Sequence, residues 1–173
     1  IPGMTHLQNG QPVRWSHALL SHAWAFKRDL KKFETAKANA LSVMPLGSAA
    51  LGGTTLKIDL HAIAKTLGFE VPANNSYDSV GERDSIVDFL QASSHFGMHL
   101  SRLAEDVIYW SSAPVGLVQL SPDWSTGSSI MPNKRNPDIA ELARAKASLW
   151  IGESHGVMTL IKGLATCYAS DLH

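Results

Sequence analysis

At 173 residues, 45% of them hydrophobic, the chain holds enough apolar material for one globular domain or for a piece of a larger one. Fifteen Lys and Arg balance fifteen Asp and Glu, so there is no net field to gather nucleic acid or an anionic membrane, and such partners are not expected. A single cysteine, Cys167, excludes an internal disulfide and a cysteine-based zinc site and suits a reducing compartment, the cytoplasm by default.

The first residues, IPGMTHLQNG, lack the charged and apolar regions of a signal, and no apolar run reaches membrane-spanning length. The chain opens on Pro-Gly without a methionine, which reads as an internal fragment. Residues 3–12, GMTHLQNGQP, read as a polar turn, with Pro12 fit for the first turn of a helix over about 13–40, where Leu19, Leu20, Ala23, Phe26, Leu30 and Phe33 recur at helical spacing. The glycine-rich stretch 43–55 predicts a loop. Asp59 is placed to cap a short helix over 60–67, and Gly68 to end it.

A second long helix is predicted over about 79–111, with an apolar face broad enough to touch more than one neighbour. A third starts near Asp138 behind Pro137, although Gly152, Gly156 and Gly163 each weaken it by roughly 1 kcal/mol unless close packing needs them. A helix of about 33 residues is roughly 50 Å long, whereas a compact monomer of this length has a radius of gyration of about 16 Å. With no β-alternation of useful length, the predicted class is all-α: one helical domain over 1–173, an elongated bundle completed by other segments or subunits.

Three clusters carry possible chemistry. GSSIMPNKRNPD, residues 127–138, sets Ser128 and Ser129 beside Lys134, Arg135 and Asn136, just before a helix whose free N–H groups favour an anion. A cation and a helix end would stabilise a serine alkoxide, giving a base next to a carboxylate site. General base catalysis supplies about 10²–10⁴-fold, so stabilising the carbanion would have to be the larger effect. Taken alone, the loop reads more readily as a turn and cap, which is what most Ser/Asn/Pro/Asp clusters form.

The second cluster gathers Thr5, His6, Gln8 and Gln11, able to bind carboxylates and move a proton, although a lone histidine is more often structural. The third, NNSYDSVGERD, holds Arg83, either a bidentate carboxylate clamp or a surface arginine near Glu82 and Asp84. His17, His22, His95 and His99 are assigned to packing or solvent; His95 and His99 have the i, i+4 spacing of a metal pair but no HExxH glutamate, and no metal is expected.

Together these segments resemble the fumarase/aspartase superfamily, and within it the argininosuccinate lyase and δ-crystallin branch. GSSIMPNKRNP is similar to the superfamily signature and GMTHLQNGQP to a second shared segment, while PLGSAALGG, GERD and LSRLAEDVIYW point to that branch. The resemblance covers essentially the whole chain. It implies the central part of the family's helical-bundle fold, a homotetramer whose active sites draw on three subunits, and a C–N lyase needing no cofactor. The implied reaction eliminates fumarate from argininosuccinate and releases arginine, a step of arginine biosynthesis and the urea cycle. Carried onto these positions, the resemblance makes Ser128 the general base, Lys134 and Asn136 the groups that stabilise the carbanion, His6 a proton-transfer residue oriented by Glu141, and Thr5, Gln8, Arg83 and Tyr168 substrate contacts.

Departures temper it. The first shared active-site segment and a C-terminal helical domain of the family have no counterpart in these residues, so the chain alone is expected to be inactive. CYASDLH keeps Tyr168, Asp171 and Leu172 but has Ala169, Ser170 and His173 where the family usually has Asn, Lys and Gln. Adenylosuccinate lyase or another superfamily lyase, and a non-catalytic structural or incomplete paralogue, stay open.

Overall fold

The apolar period that follows Pro12 forms α1, Trp15–Ser42, in a computed structural model that describes residues 1–172; the departure read at His173 lies outside them. The other α-helices among the described residues are α2 (Leu60–Leu67), α3 (Ser76–Gly81), α4 (Asp84–Ser111) and α5 (Asp138–Ile161), so the class is all-α as the periodicity predicts. Helix α2 has the expected ends: the Asp59 carboxylate accepts from the Ala62 N–H, and Gly68 closes the helix in the left-handed region at φ 83°.

Two elements depart from the sequence reading. Residues 3–12 are not a simple turn but a hairpin, in which β1 (Pro2–Thr5) pairs antiparallel with β2 (Gln8–Pro12). Strand β2 is exposed at every position, so it lacks the apolar alternation that would announce a strand. Its two-residue turn places His6 (φ 55°) and Leu7 (φ 56°) in the left-handed region without the usual Asn-Gly signature.

The helix predicted over 79–111 is instead two helices, α3 and α4. Glu82 leaves the helical region (φ −60°, ψ 134°), and its carboxylate accepts the Ser85 N–H to start α4. A further two-residue strand, β3 (Val43–Met44), opens the stretch predicted as a loop and runs parallel to β4 (Val71–Pro72).

The chain divides into two compact units. Unit 1 comprises Ile1–Leu30 and Ser94–Ile151; unit 2 comprises Lys31–Ser93 and Gly152–His173. In unit 1, Ala25, Ala104 and Ala147 are buried, and a Cβ added at Gly97 would meet the Trp150 ring at 3.0 Å. The small residues let the helices close together, with Phe96 lying between Phe26 and Trp150 at ring distances of 5.6 and 5.9 Å. Two polar pairs join α1 to α4 there: His99 with the buried Asp29, and His22 with Asp106. In unit 2 the buried apolar residues are Ala36, Met44, Ala64 and Ala92.

Alanine thus dominates the interior, while many large apolar side chains lie outside it, among them Leu20, Trp24, Phe89, Leu142 and Leu149. Glycines 152 and 156 of α5 have nothing within 4 Å of an added Cβ, so no packing among the described residues requires them. No helix among the described residues is long and apolar enough to cross a membrane.

Candidate active site

The serine-rich segment is tied shut at its base. Thr126 donates to the Asn136 carbonyl at 3.1 Å and Asn136 donates back at 2.8 Å, while the Asn136 carboxamide reaches Thr126 Oγ1 at 3.4 Å and the Gly127 carbonyl at 3.5 Å. Residues 127–135 therefore form a closed loop of the compact surface type. Within it the chain turns so that Ser128 Oγ accepts from the N–H groups of Ile130, at 3.3 Å, and Met131, at 3.2 Å.

This separates two serines that the sequence left equivalent. Ser128 is half-buried with two donors aimed at its oxygen, whereas Ser129 is exposed and makes no side-chain hydrogen bond among the described residues. Donors that hold the oxygen favour its anionic form. Lys134 and Arg135 are exposed on the same loop and form no ion pair among the described residues. Ile130, at the tip, is 82% exposed.

The start of α5 is less open to an outside anion than its position implies. Asp138 and Glu141 both stand in its first turn, where their carboxylates already complement the helix dipole. Asp138 Oδ1 is buried without a hydrogen-bond partner among the described residues.

Thr5, His6 and Gln8 are presented together by the hairpin turn, all exposed. A contact from Tyr109 Oη to Met4 Sδ, 3.1 Å, ties β1 to α4 behind them. His6 and Glu141 form no hydrogen bond with each other among the described residues, and none joins the hairpin cluster to the loop. Unit 1 thus assembles two clusters, Thr5/His6/Gln8 and Ser128/Lys134/Asn136. Thr126, which sequence reasoning did not single out, closes the second; its only sequence signal is its place next to the serine-rich segment.

Arg83 and Tyr168 belong to unit 2. Arg83 lies at the α3–α4 break on the wall of an open cleft of about 1200 Å³, which Asn74, Asn75, Asp78 and Ser85 also line. Its Nη1 donates to the carbonyls of Val80 (3.1 Å) and Glu82 (2.6 Å), so the end of α3 holds it, with no ion pair to Glu82 or Asp84 among the described residues. Tyr168 is 66% exposed. The neighbouring Cys167 thiol donates to the Tyr77 carbonyl at 3.8 Å, and a side-chain hydrogen bond between the Tyr77 phenol and Cys167, followed by that cysteine's charge, pushes the phenol above its usual pKa. Of the helical histidines, His99 and His22 each hold an aspartate, and His95 is exposed.

Residues 1–152 match the family model described as lyase. Argininosuccinate lyase from Acidothermus cellulolyticus is 48% identical over 171 residues, which is 99% of this chain and 35% of that protein. Among solved structures, EDDS lyase in complex with formate superposes with a TM-score of 0.92 at 27% identity, covering 98% of this chain and 34% of its own. A class II fumarase from Schistosoma mansoni shares the fold, with a TM-score of 0.75 at 18% identity over 95% of this chain and 39% of its own. The chain spans about a third of the length of these relatives.

Proposed function

We infer that this chain, which belongs to the lyase family of the fumarase/aspartase superfamily, is the loop-bearing central part of an argininosuccinate lyase-type enzyme and carries its general base, Ser128. The observation that carries the reading is the pair of main-chain N–H groups on Ser128 Oγ, three residues before the turn that brings in Lys134. Donors fixed before the reaction stabilise an alkoxide without reorganising when it forms. The alkoxide removes the proton from the carbon beside a succinyl carboxylate. Lys134 and Asn136 stabilise the resulting carbanion, the C–N bond breaks, and fumarate leaves. His6, oriented by Glu141, assists proton transfer, and arginine is released. Thr5, Gln8, Arg83 and Tyr168 bind substrate.

The proposed protein is a cytoplasmic homotetramer in which His6 and Glu141 come together across copies. The leucines and tryptophans left exposed within each unit, Leu20 and Trp24 in unit 1 and Leu46 and Leu51 in unit 2 among them, favour an obligate assembly. The whole of residues 1–173 then forms one part of a larger helical domain.

Replacing Ser128 by Ala in the full-length protein should lower kcat for argininosuccinate by about 10²–10⁴-fold with little change in KM. Turnover at the parental level would remove Ser128 from the role of base. A second, non-catalytic reading is favoured by one observation: Ala169 and Ser170 follow Tyr168 where an amide and a lysine are expected near the substrate. A stable oligomer that releases fumarate from neither argininosuccinate nor adenylosuccinate would establish that alternative, and release from adenylosuccinate alone would reassign the substrate.

A further inference from the structure

Gly81 ends α3 two residues before Arg83, and the main chain of Thr166 passes against it two residues before Tyr168. A Cβ built on Gly81 would stand 1.5 Å from the Thr166 carbonyl oxygen, 2.5 Å from its carbonyl carbon and 3.4 Å from the Cys167 nitrogen. Non-bonded heavy atoms settle at about 3.5–4.0 Å, and all three of these atoms are main chain, so no change of rotamer relieves the overlap. Any side chain at 81 forces the Thr166–Cys167 peptide off α3, or bends the end of α3 away from it.

The same short helix is held at three other points. Asn75 caps its start by accepting from the N–H groups of Tyr77 and Asp78. Cys167 donates to the Tyr77 carbonyl on its first turn. The Arg83 guanidinium donates to the Val80 carbonyl on its last. The turn that receives Thr166 is therefore the turn that sets the guanidinium.

We propose that Gly81 is a positioning residue of the substrate site: by admitting the Thr166–Cys167 peptide onto the last turn of α3, it fixes Tyr168 and Arg83 relative to each other. The proposal rests on the reading above in which both residues bind substrate. Gly81 itself touches no reacting atom. Its effect is on where two binding groups stand, and so on substrate binding rather than on the chemical step.

The test is Gly81→Ala in the full-length protein, with two readouts. Mass-mapped alkylation of Cys167 by iodoacetamide should accelerate about tenfold as the segment lifts, and KM for argininosuccinate should rise on the order of tenfold or more while kcat changes by less than about threefold. An unchanged alkylation rate, or a KM within about twofold of the parent, overturns the proposal. A parent that consumes no argininosuccinate sinks the functional reading by itself, and the alkylation rate still decides whether Gly81 seats the segment. Should Gly81→Ala fail to fold, Cys167→Val removes the donor to Tyr77 and should raise KM, and Cys167→Ser, which keeps an O–H donor, should raise it less. Equal KM values for those two variants and the parent would count against the coupling.

Discussion

Removing one half of the buried Asp29–His99 pair should cost far more than removing both. Asp29 is 1% exposed, and both its oxygens face the same ring nitrogen, at 2.9 and 2.7 Å from His99 Nδ1. In His99→Leu the carboxylate stays in the alanine-lined interior without that donor. An unpaired buried charge of this kind costs about 3–5 kcal/mol. Asp29→Leu strands a less demanding group, a ring N–H 10% exposed on its side chain, at about 1–3 kcal/mol. In the double variant Asp29→Leu/His99→Leu neither penalty remains, and apolar contact replaces the pair at a cost near zero. The cycle should therefore show a coupling of at least about 2 kcal/mol. Urea midpoints of the four full-length proteins, at one protomer concentration so that assembly contributes equally, give the comparison. Additive single effects below about 1 kcal/mol each would mean that water reaches the carboxylate, and the argument from burial would fail.

Two smaller predictions follow from backbone geometry. Ala49 is exposed and sits at φ 51°, where an L-residue costs roughly 1–2 kcal/mol; after the larger unfolded-state entropy of glycine is deducted, Ala49→Gly should raise stability by about 0.5–1 kcal/mol, visible as a higher urea midpoint. Gly97→Ala gains about 1 kcal/mol of helix propensity but drives a methyl to 3.0 Å from a Trp150 ring stacked on Phe96. Overpacking costs about 1–3 kcal/mol, so a net loss near 1 kcal/mol with altered tryptophan fluorescence is expected; a more stable variant would show that the ring yields freely.

What could be read from the sequence was local. Asp59 and Gly68 mark α2 because each acts on groups within four residues of itself. The approach of the Thr166 peptide to Gly81 joins residues 85 positions apart, and no periodicity records it. The hairpin escaped for a related reason. A polar strand and two left-handed non-glycine residues have no local signature, and Tyr109 holds them from more than a hundred residues off. Membership of the family was legible because the signature is a contiguous string, whereas the proposed pairing of His6 with Glu141 came only from the resemblance, and no hydrogen bond joins the two among the described residues.

The serine loop shows why composition alone left it undecided between a turn and a base. The two N–H groups that Ser128 accepts are what make residues 128–131 a turn, and they are also what an alkoxide at that oxygen would need. Under the proposed function, turn formation and stabilisation of an alkoxide use the same two donors. Most Ser-initiated turns use only the first, because nothing nearby supplies a cation or a substrate. Here Lys134 and the Thr126–Asn136 closure stand within the same eleven residues, and under the proposed function the stabilisation built into the turn serves the base when a carboxylate-bearing substrate is brought against the loop.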